Sequence, residues 1–162
     1  MNKFQVSSLL SDAVPSAGGS FGLNVSQIIP NVGCEVAVGP VYVDSTFRRL
    51  SGSTLNAPEL EDDVCQAHGH ALWYYFISQE SGNLQISTCN EEQGFDTVLS
   101  LYNGDSCNSL TCNSQNDDSN CPINTHYSEI VAPISANKPY FVSVSSHNIN
   151  EVGSFVLSYQ MV

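Results

Sequence analysis

Hydrophobic positions recur every second residue in the stretch from Ala71 to Tyr102, and no window there shows a convincing 3.6-residue apolar stripe. Between Ala71 and Tyr102, three apolar runs (Ala71–Ile77, Leu84–Cys89 and Thr97–Tyr102) are separated by turn-rich segments at Ser81-Gly82-Asn83 and Asn90–Gly94. Each run has strand length and is rich in aromatic or β-branched residues. Leu84 and Ile86 alternate with Gln85 and Ser87, and Leu99 and Leu101 alternate with Val98 and Ser100. Such a period places one strand face toward a core. These three runs are expected to form a β-meander at the centre of the protein.

Further strands are expected at Ser128–Val131, Tyr140–Ser145 and Ser154–Met161, where Tyr140, Val142, Val144 and then Phe155, Leu157, Tyr159 mark the apolar faces. The segment from Cys34 to Leu55 reads as two edge-type strands. About eight short strands joined by Gly, Asn, Pro and Ser turns specify an all-β, antiparallel sandwich.

Residues 1–33 carry their own pattern. Val14–Gly19 is a turn or hinge, after which Phe21, Leu23, Val25 and Ile29 fall at even spacing up to the break at Pro30–Gly33. Gln27 interrupts the apolar face. The segment reads either as an extra strand on its own domain or as a strand donated to a neighbouring subunit. Asn24-Val25-Ser26 is an N-glycosylation sequon. Gly18–Gly22 spells G-x-S-x-G, but a nucleophile elbow needs a strand before the serine and a helix after it. Ser20 is therefore expected to be structural.

At 162 residues the chain has the length of one domain with a proper core. Its formal net charge is -12, with Lys3, Arg48, Arg49 and Lys138 the permanent cations. A surface of that sign repels phosphate backbones and anionic membranes, so neither nucleic acid nor membrane insertion is expected. The six cysteines, at 34, 65, 89, 107, 112 and 121, form no C-x-x-C pair. An even count without metal-ligand spacing favours disulfides and an oxidising compartment. Among the 15 pairings that six cysteines permit, spacing suggests Cys107–Cys112, Cys89–Cys121 and Cys34–Cys65. The first residues lack the apolar core of a secretory signal. Oxidised cysteines would thus imply a signal that has been removed or lies upstream.

Candidate chemistry is sparse. There is no H-E-x-x-H, no nucleophile with a base and no phosphate-binding glycine loop. His68-Gly69-His70 could chelate a metal but lacks a third ligand and is read as a loop pair; His126 and His147 receive no role. Arg48-Arg49 reads as a solvated strand end paired with nearby acids.

The runs W-Y-Y-F at Trp73, S-G-N-L-Q-I-S-T-C at Ser81, G-F-D-T-V-L-S-L-Y-N-G at Gly94 and C-N-S-L-T-C at Cys107 follow in that order. N-D-D-S-N-C at Asn116, K-P-Y-F-V-S-V-S-S at Lys138 and G-S-F-V-L-S-Y at Gly153 complete the series. Together they resemble the bacterial pre-peptidase C-terminal domain, a jelly-roll-like β-sandwich appended to secreted proteases and other extracellular proteins. The resemblance spans roughly residues 34–162 and leaves 1–33 as an extension with a candidate docking strand. It implies an accessory module with few shared chemical residues, and the absence of a catalytic constellation leads to the expectation that the chain is not an enzyme. It also implies that Asp96 begins a strand and fixes the preceding turn through local backbone N–H groups. Some family members bind calcium, for which Asp96, Asp105, Asp117 and Asp118 are the candidate ligands; no other cofactor is implied.

Two functions are compatible with these features. One is a non-enzymatic extracellular structural subunit of a fibre or surface layer, in which Phe21, Leu23, Val25 and Ile29 contact a neighbouring copy. The other is a carbohydrate- or matrix-binding accessory module of a larger secreted hydrolase, with Tyr74 or Tyr102 stacking on sugar rings.

Overall fold

Alternating strands become two facing sheets in the computed structural model, which describes residues 31–61, 63–90 and 94–162. The docking-strand residues Phe21, Leu23, Val25 and Ile29, the sequon at Asn24, and Ser20 lie outside the described residues. Nine strands are present among those described: β1 (Val38–Val43), β2 (Arg48–Ser53), β3 (Ala71–Ser78), β4 (Gly82–Ser87), β5 (Thr97–Asn103), β6 (Thr111–Asn116), β7 (Glu129–Ile134), β8 (Pro139–Ser146) and β9 (Ser154–Met161). A five-stranded sheet runs in the order β1-β3-β8-β5-β6, and a four-stranded sheet in the order β2-β9-β4-β7. No helix among the described residues is long and apolar enough to cross a membrane.

The core lies between the sheets. Leu72, Tyr74 and Phe76 of β3, Leu99 and Leu101 of β5, and Tyr140, Val142 and Val144 of β8 project inward from one side. They meet Leu84 and Ile86 of β4, Ile130, Ala132 and Ile134 of β7, and Phe155, Leu157 and Tyr159 of β9. Each large side chain removed from water contributes roughly 1.5–3 kcal/mol, so this interface is the main source of stability.

The expected all-β sandwich is formed, and one expectation about strand arrangement is corrected. The central runs are not a meander: β3 and β5 belong to the five-stranded sheet and β4 to the other. Period-two alternation says which face of a strand is apolar, and a strand in either layer of a sandwich satisfies it. The strand pairs are antiparallel as expected except that β1 runs parallel to β3, with Tyr42 opposite Ile77. The chain leaves the five-stranded sheet after β1, crosses to the other layer as β2 and returns as β3. Two reversals restore its direction. Beyond the expected strands, β6 is a polar edge strand held by main-chain pairing to β5, without an apolar face to announce it.

The five-stranded sheet is apolar on its outer side as well. Trp73, Tyr102 and Phe141 are buried there beneath the segments preceding β1 and β3, with Ala37, Leu60 and Leu110 packed against them. Tyr102 stacks on Trp73 with ring centroids 4.9 Å apart. Its hydroxyl donates to Asp63 Oδ1 at 2.8 Å, and Asp63 Oδ2 accepts the backbone N–H groups of Cys65 and Ala67. This one carboxylate therefore ties the covering loop to the sheet.

All six cysteines are paired, as Cys34–Cys107, Cys65–Cys112 and Cys89–Cys121. The pairings Cys34–Cys65 and Cys107–Cys112 suggested by spacing are not formed. The two covering segments are each stapled instead to the far side of the sheet, in and next to β6. A short 3₁₀ turn at Cys107–Ser109 separates Cys107 from Cys112, so each meets a different segment.

Candidate functional site

Strand order assembles one cluster of ionisable groups that linear spacing conceals. Asp96 directly precedes β5, Asp117 and Asp118 follow β6, His147 follows β8, and His126 lies in the loop before β7. Because β5 lies between β6 and β8, these ends meet at one edge of the sandwich. His126 Nδ1 is 3.3 Å from Asp118 Oδ1 and 3.6 Å from Asp96 Oδ2; His147 Nδ1 is 2.7 Å from Asp117 Oδ2. Burial, then the neighbouring Asp117 carboxylate, push the Asp96 carboxyl above its ordinary range. Attraction to Asp117 raises His147.

The ligand-type atoms of Asp96, Asp118 and His126 lie within 4.8 Å of one another. The oxygens Asp96 Oδ1 and Asp117 Oδ1 are buried without a hydrogen-bond partner. Asp105, the fourth candidate calcium ligand, is not in this group. It follows the opposite end of β5, and seven residues of strand separate the two ends by roughly 23 Å. Calcium takes six to eight oxygens. Here three carboxylates have imidazole nitrogens set between them, a set that does not fit the expected all-oxygen site. Asp96 also meets residues outside the preceding turn. Its main-chain oxygen accepts the His147 N–H at 3.0 Å, and its carboxylate lies 3.6 Å from His126 Nδ1.

The remaining candidates have structural partners. Both ring nitrogens of His70 lie against carbonyl oxygens, Nδ1 2.6 Å from Ala57 O and Nε2 3.1 Å from Ile149 O. His68 is exposed, so the two form no chelate. Arg48 makes a two-pronged contact with Asp44, at 2.9 and 2.8 Å, as expected of a solvated strand end. Tyr74 and Tyr102 are 2% and 0% exposed. Neither can stack on a sugar ring, since one faces the core and the other lies beneath the disulfide-stapled cover. Burial pushes the Tyr74 phenol up to about 12.

Among the described residues, no strand or disulfide-stapled loop covers the outer face of the four-stranded sheet as one covers the other sheet. Inward residues of its strands alternate with Arg49 on β2, Ser158 and Gln160 on β9, Gln85 and Ser87 on β4, and Glu129 and Val131 on β7. Cross-strand register sets these in two rows. Arg49, Ser158, Ser87 and Glu129 lie opposite one another in turn across all four strands. In the adjacent row Gln160 faces Gln85, which faces Val131. Gln160 Nε2 donates to Gln85 Oε1 at 2.8 Å, and Gln85 Nε2 donates to Glu129 Oε2 at 3.2 Å. Phe47, 53% exposed in the turn before β2, stands at the rim with the Arg49 guanidinium 5.5 Å from its ring centroid. Together they line a shallow depression of about 270 Å³. Sequence reasoning passed over Phe47, although an aromatic outside any strand alternation, followed by two arginines, was the available signal.

No family model matches the chain, and no curated protein matches it. Among solved structures it is similar to the pre-peptidase C-terminal domain of a collagenase from Bacillus anthracis. The identity is 17%, the match covers 74% of this chain and 91% of that chain, and the TM-score is 0.47.

Proposed function

We propose that this protein is a non-catalytic extracellular binding module, of the kind that accompanies a secreted hydrolase, and that it holds a carbohydrate or matrix polymer on its four-stranded sheet. The observation that carries this reading is the contrast between the two outer faces. One is closed by loops and two disulfides over Trp73, Tyr102 and Phe141. The other is open among the described residues, ordered by the sheet and lined with hydrogen-bonding side chains. Three disulfides suit an oxidising compartment. Co-sedimentation of the full chain with insoluble cellulose, chitin and type I collagen tests the reading. At least one should retain the protein, and Ser158→Arg, which places bulk at the middle of the open face, should abolish retention. Failure of all three polymers to retain it would overturn the proposal.

A second reading, self-association into a fibre, is favoured by a different feature. The outer edges of β1 and β2 have no neighbouring strand among those described, and a slot of about 360 Å³ between them is lined by Val38, Leu50, Leu72 and Tyr74. Strand addition from a second copy would supply main-chain partners at such an edge. Sedimentation velocity of the full chain at rising concentration tests this, because a monomer throughout is incompatible with it.

A further inference from the structure

We infer that the depression beside Phe47 is a subsite for a neutral polysaccharide. This deepens the binding-module reading and rests on it. Pyranose rings present an apolar C–H face and an equatorial rim of hydroxyls, each a donor and an acceptor. A complementary protein surface needs an exposed aromatic ring next to planar groups that offer donors and acceptors at fixed separations.

The open face has that composition. Phe47 supplies the ring, held by Arg49 on one side. Gln160, Gln85 and Glu129 form a continuous hydrogen-bonded ladder across β9, β4 and β7. The ladder orients the amide and carboxylate planes before any ligand arrives, which lowers the ordering cost of binding. Each amide that spends one group within the ladder keeps further donor or acceptor capacity for a ligand. At a strand spacing of about 4.8 Å, the four strands span roughly 14 Å. That is room for a short run of sugar rings laid across the strands, with Phe47 at one end and Glu129 toward the other.

Charge selects among polysaccharides. The chain carries a formal net charge of -12, and Glu129 sits within the site itself. An anionic polymer would meet repulsion from both, and the one arginine of the site already lies over Phe47. Neutral hydroxyl-rich chains carry no such penalty, and their hydroxyls can donate to the Glu129 carboxylate.

Affinity gel electrophoresis of the full chain provides the test, with hydroxyethylcellulose, galactomannan and xyloglucan as neutral probes and polygalacturonate as the anionic one. At least one neutral polymer should retard migration. Phe47→Ala and Gln160→Ala should each weaken that retardation about five- to tenfold, the scale of losing one contact or hydrogen bond. Both substitutions are at the surface, and circular dichroism should show the folded spectrum unchanged. Three results would overturn the inference: no retardation by any neutral probe, retardation that survives both substitutions, or equal retardation by polygalacturonate. Retention on collagen that Ser158→Arg abolishes, combined with indifference to all polysaccharides, would sink this inference while leaving the binding-module reading intact.

Discussion

Replacing Tyr102 by Phe removes a single oxygen atom and tests whether Asp63 fastens the covering loop. The phenol is fully buried, donates to Asp63 Oδ1 at 2.8 Å, and lies 3.0 Å from Ser143 Oγ. Burial pushes it well above the ordinary tyrosine range, which favours the protonated, donating form. Hydrogen bonds to charged groups contribute about 1.5–3 kcal/mol, and a buried hydroxyl left with one partner fewer costs somewhat less. The ring, and its stacking on Trp73, are retained in the variant, so no cavity term enters. The expected loss is about 2 kcal/mol, a sizeable share of the roughly 5–15 kcal/mol that holds a typical domain together. Urea unfolding followed by tryptophan fluorescence is the natural assay, because the single tryptophan, Trp73, packs against the substituted ring. A double-mutant cycle with Asp63→Ala should show coupling above about 1 kcal/mol. A loss below about 0.5 kcal/mol, or additive effects of the two substitutions, would refute the claim that this contact fastens the cover.

Four other outcomes are expected. Peptide mapping of the unreduced protein should recover Cys34–Cys107, Cys65–Cys112 and Cys89–Cys121. Removing Cys65–Cys112 by a double serine substitution should cost about 4 kcal/mol on chain-entropy grounds, given its separation of 47 residues; an unchanged urea midpoint would contradict this. Gly69→Ala should destabilise by more than about 1 kcal/mol, read as a fall in melting temperature, because Gly69 has φ +75 and an added Cβ would collide with the Ser146 hydroxyl and carbonyl oxygens. His147 has its pKa raised above 6.5 by Asp117, so its pairing adds stability that is complete below that value and lost as pH climbs through the folded-state pKa. His147→Gln should therefore flatten the stability profile above about pH 6.5, by a small amount since the ring is largely solvated; an unaltered slope would remove the role of this pair.

Strand positions were legible in the sequence because each buried strand carries its own alternation. The run Leu84-Gln85-Ile86-Ser87 reads correctly without knowledge of any other segment. Which strand lies beside which is a different kind of information. Leu84 and Leu99 face the same core from opposite sheets, and nothing in either run distinguishes this from neighbours in one sheet. The cysteine pairing failed for the same reason. Proximity in sequence suggested Cys107–Cys112, whereas the covering segments reach across the sheet to those residues from Cys34 and Cys65. His126 and His147 were likewise invisible as site residues. Each gains its carboxylate partner through the placement of β5 between β6 and β8, and Asp105 loses its expected role through the length of β5.

A finer reading of the apolar runs does distinguish the two faces of the sandwich. In β3 the run Leu72-Trp73-Tyr74-Tyr75-Phe76 is apolar at every position, and β8 opens with Tyr140-Phe141-Val142. A sheet built from such strands has two apolar faces, and both must be covered. The sandwich covers one, and the loops bearing Cys34, Leu60 and Cys65 cover the other. In β4 and β9, by contrast, Leu84-Gln85-Ile86-Ser87 and Leu157-Ser158-Tyr159-Gln160 alternate cleanly. Strands of that kind bury one face and present the other to solvent, in a register fixed by the core they pack against. Precision in an exposed array of polar groups therefore follows from the packing behind it: Gln85 and Gln160 are aligned because Ile86 and Tyr159 are paired and buried. The continuous runs mark the sheet that the protein must close, and the alternating runs mark the sheet that can leave one face to solvent.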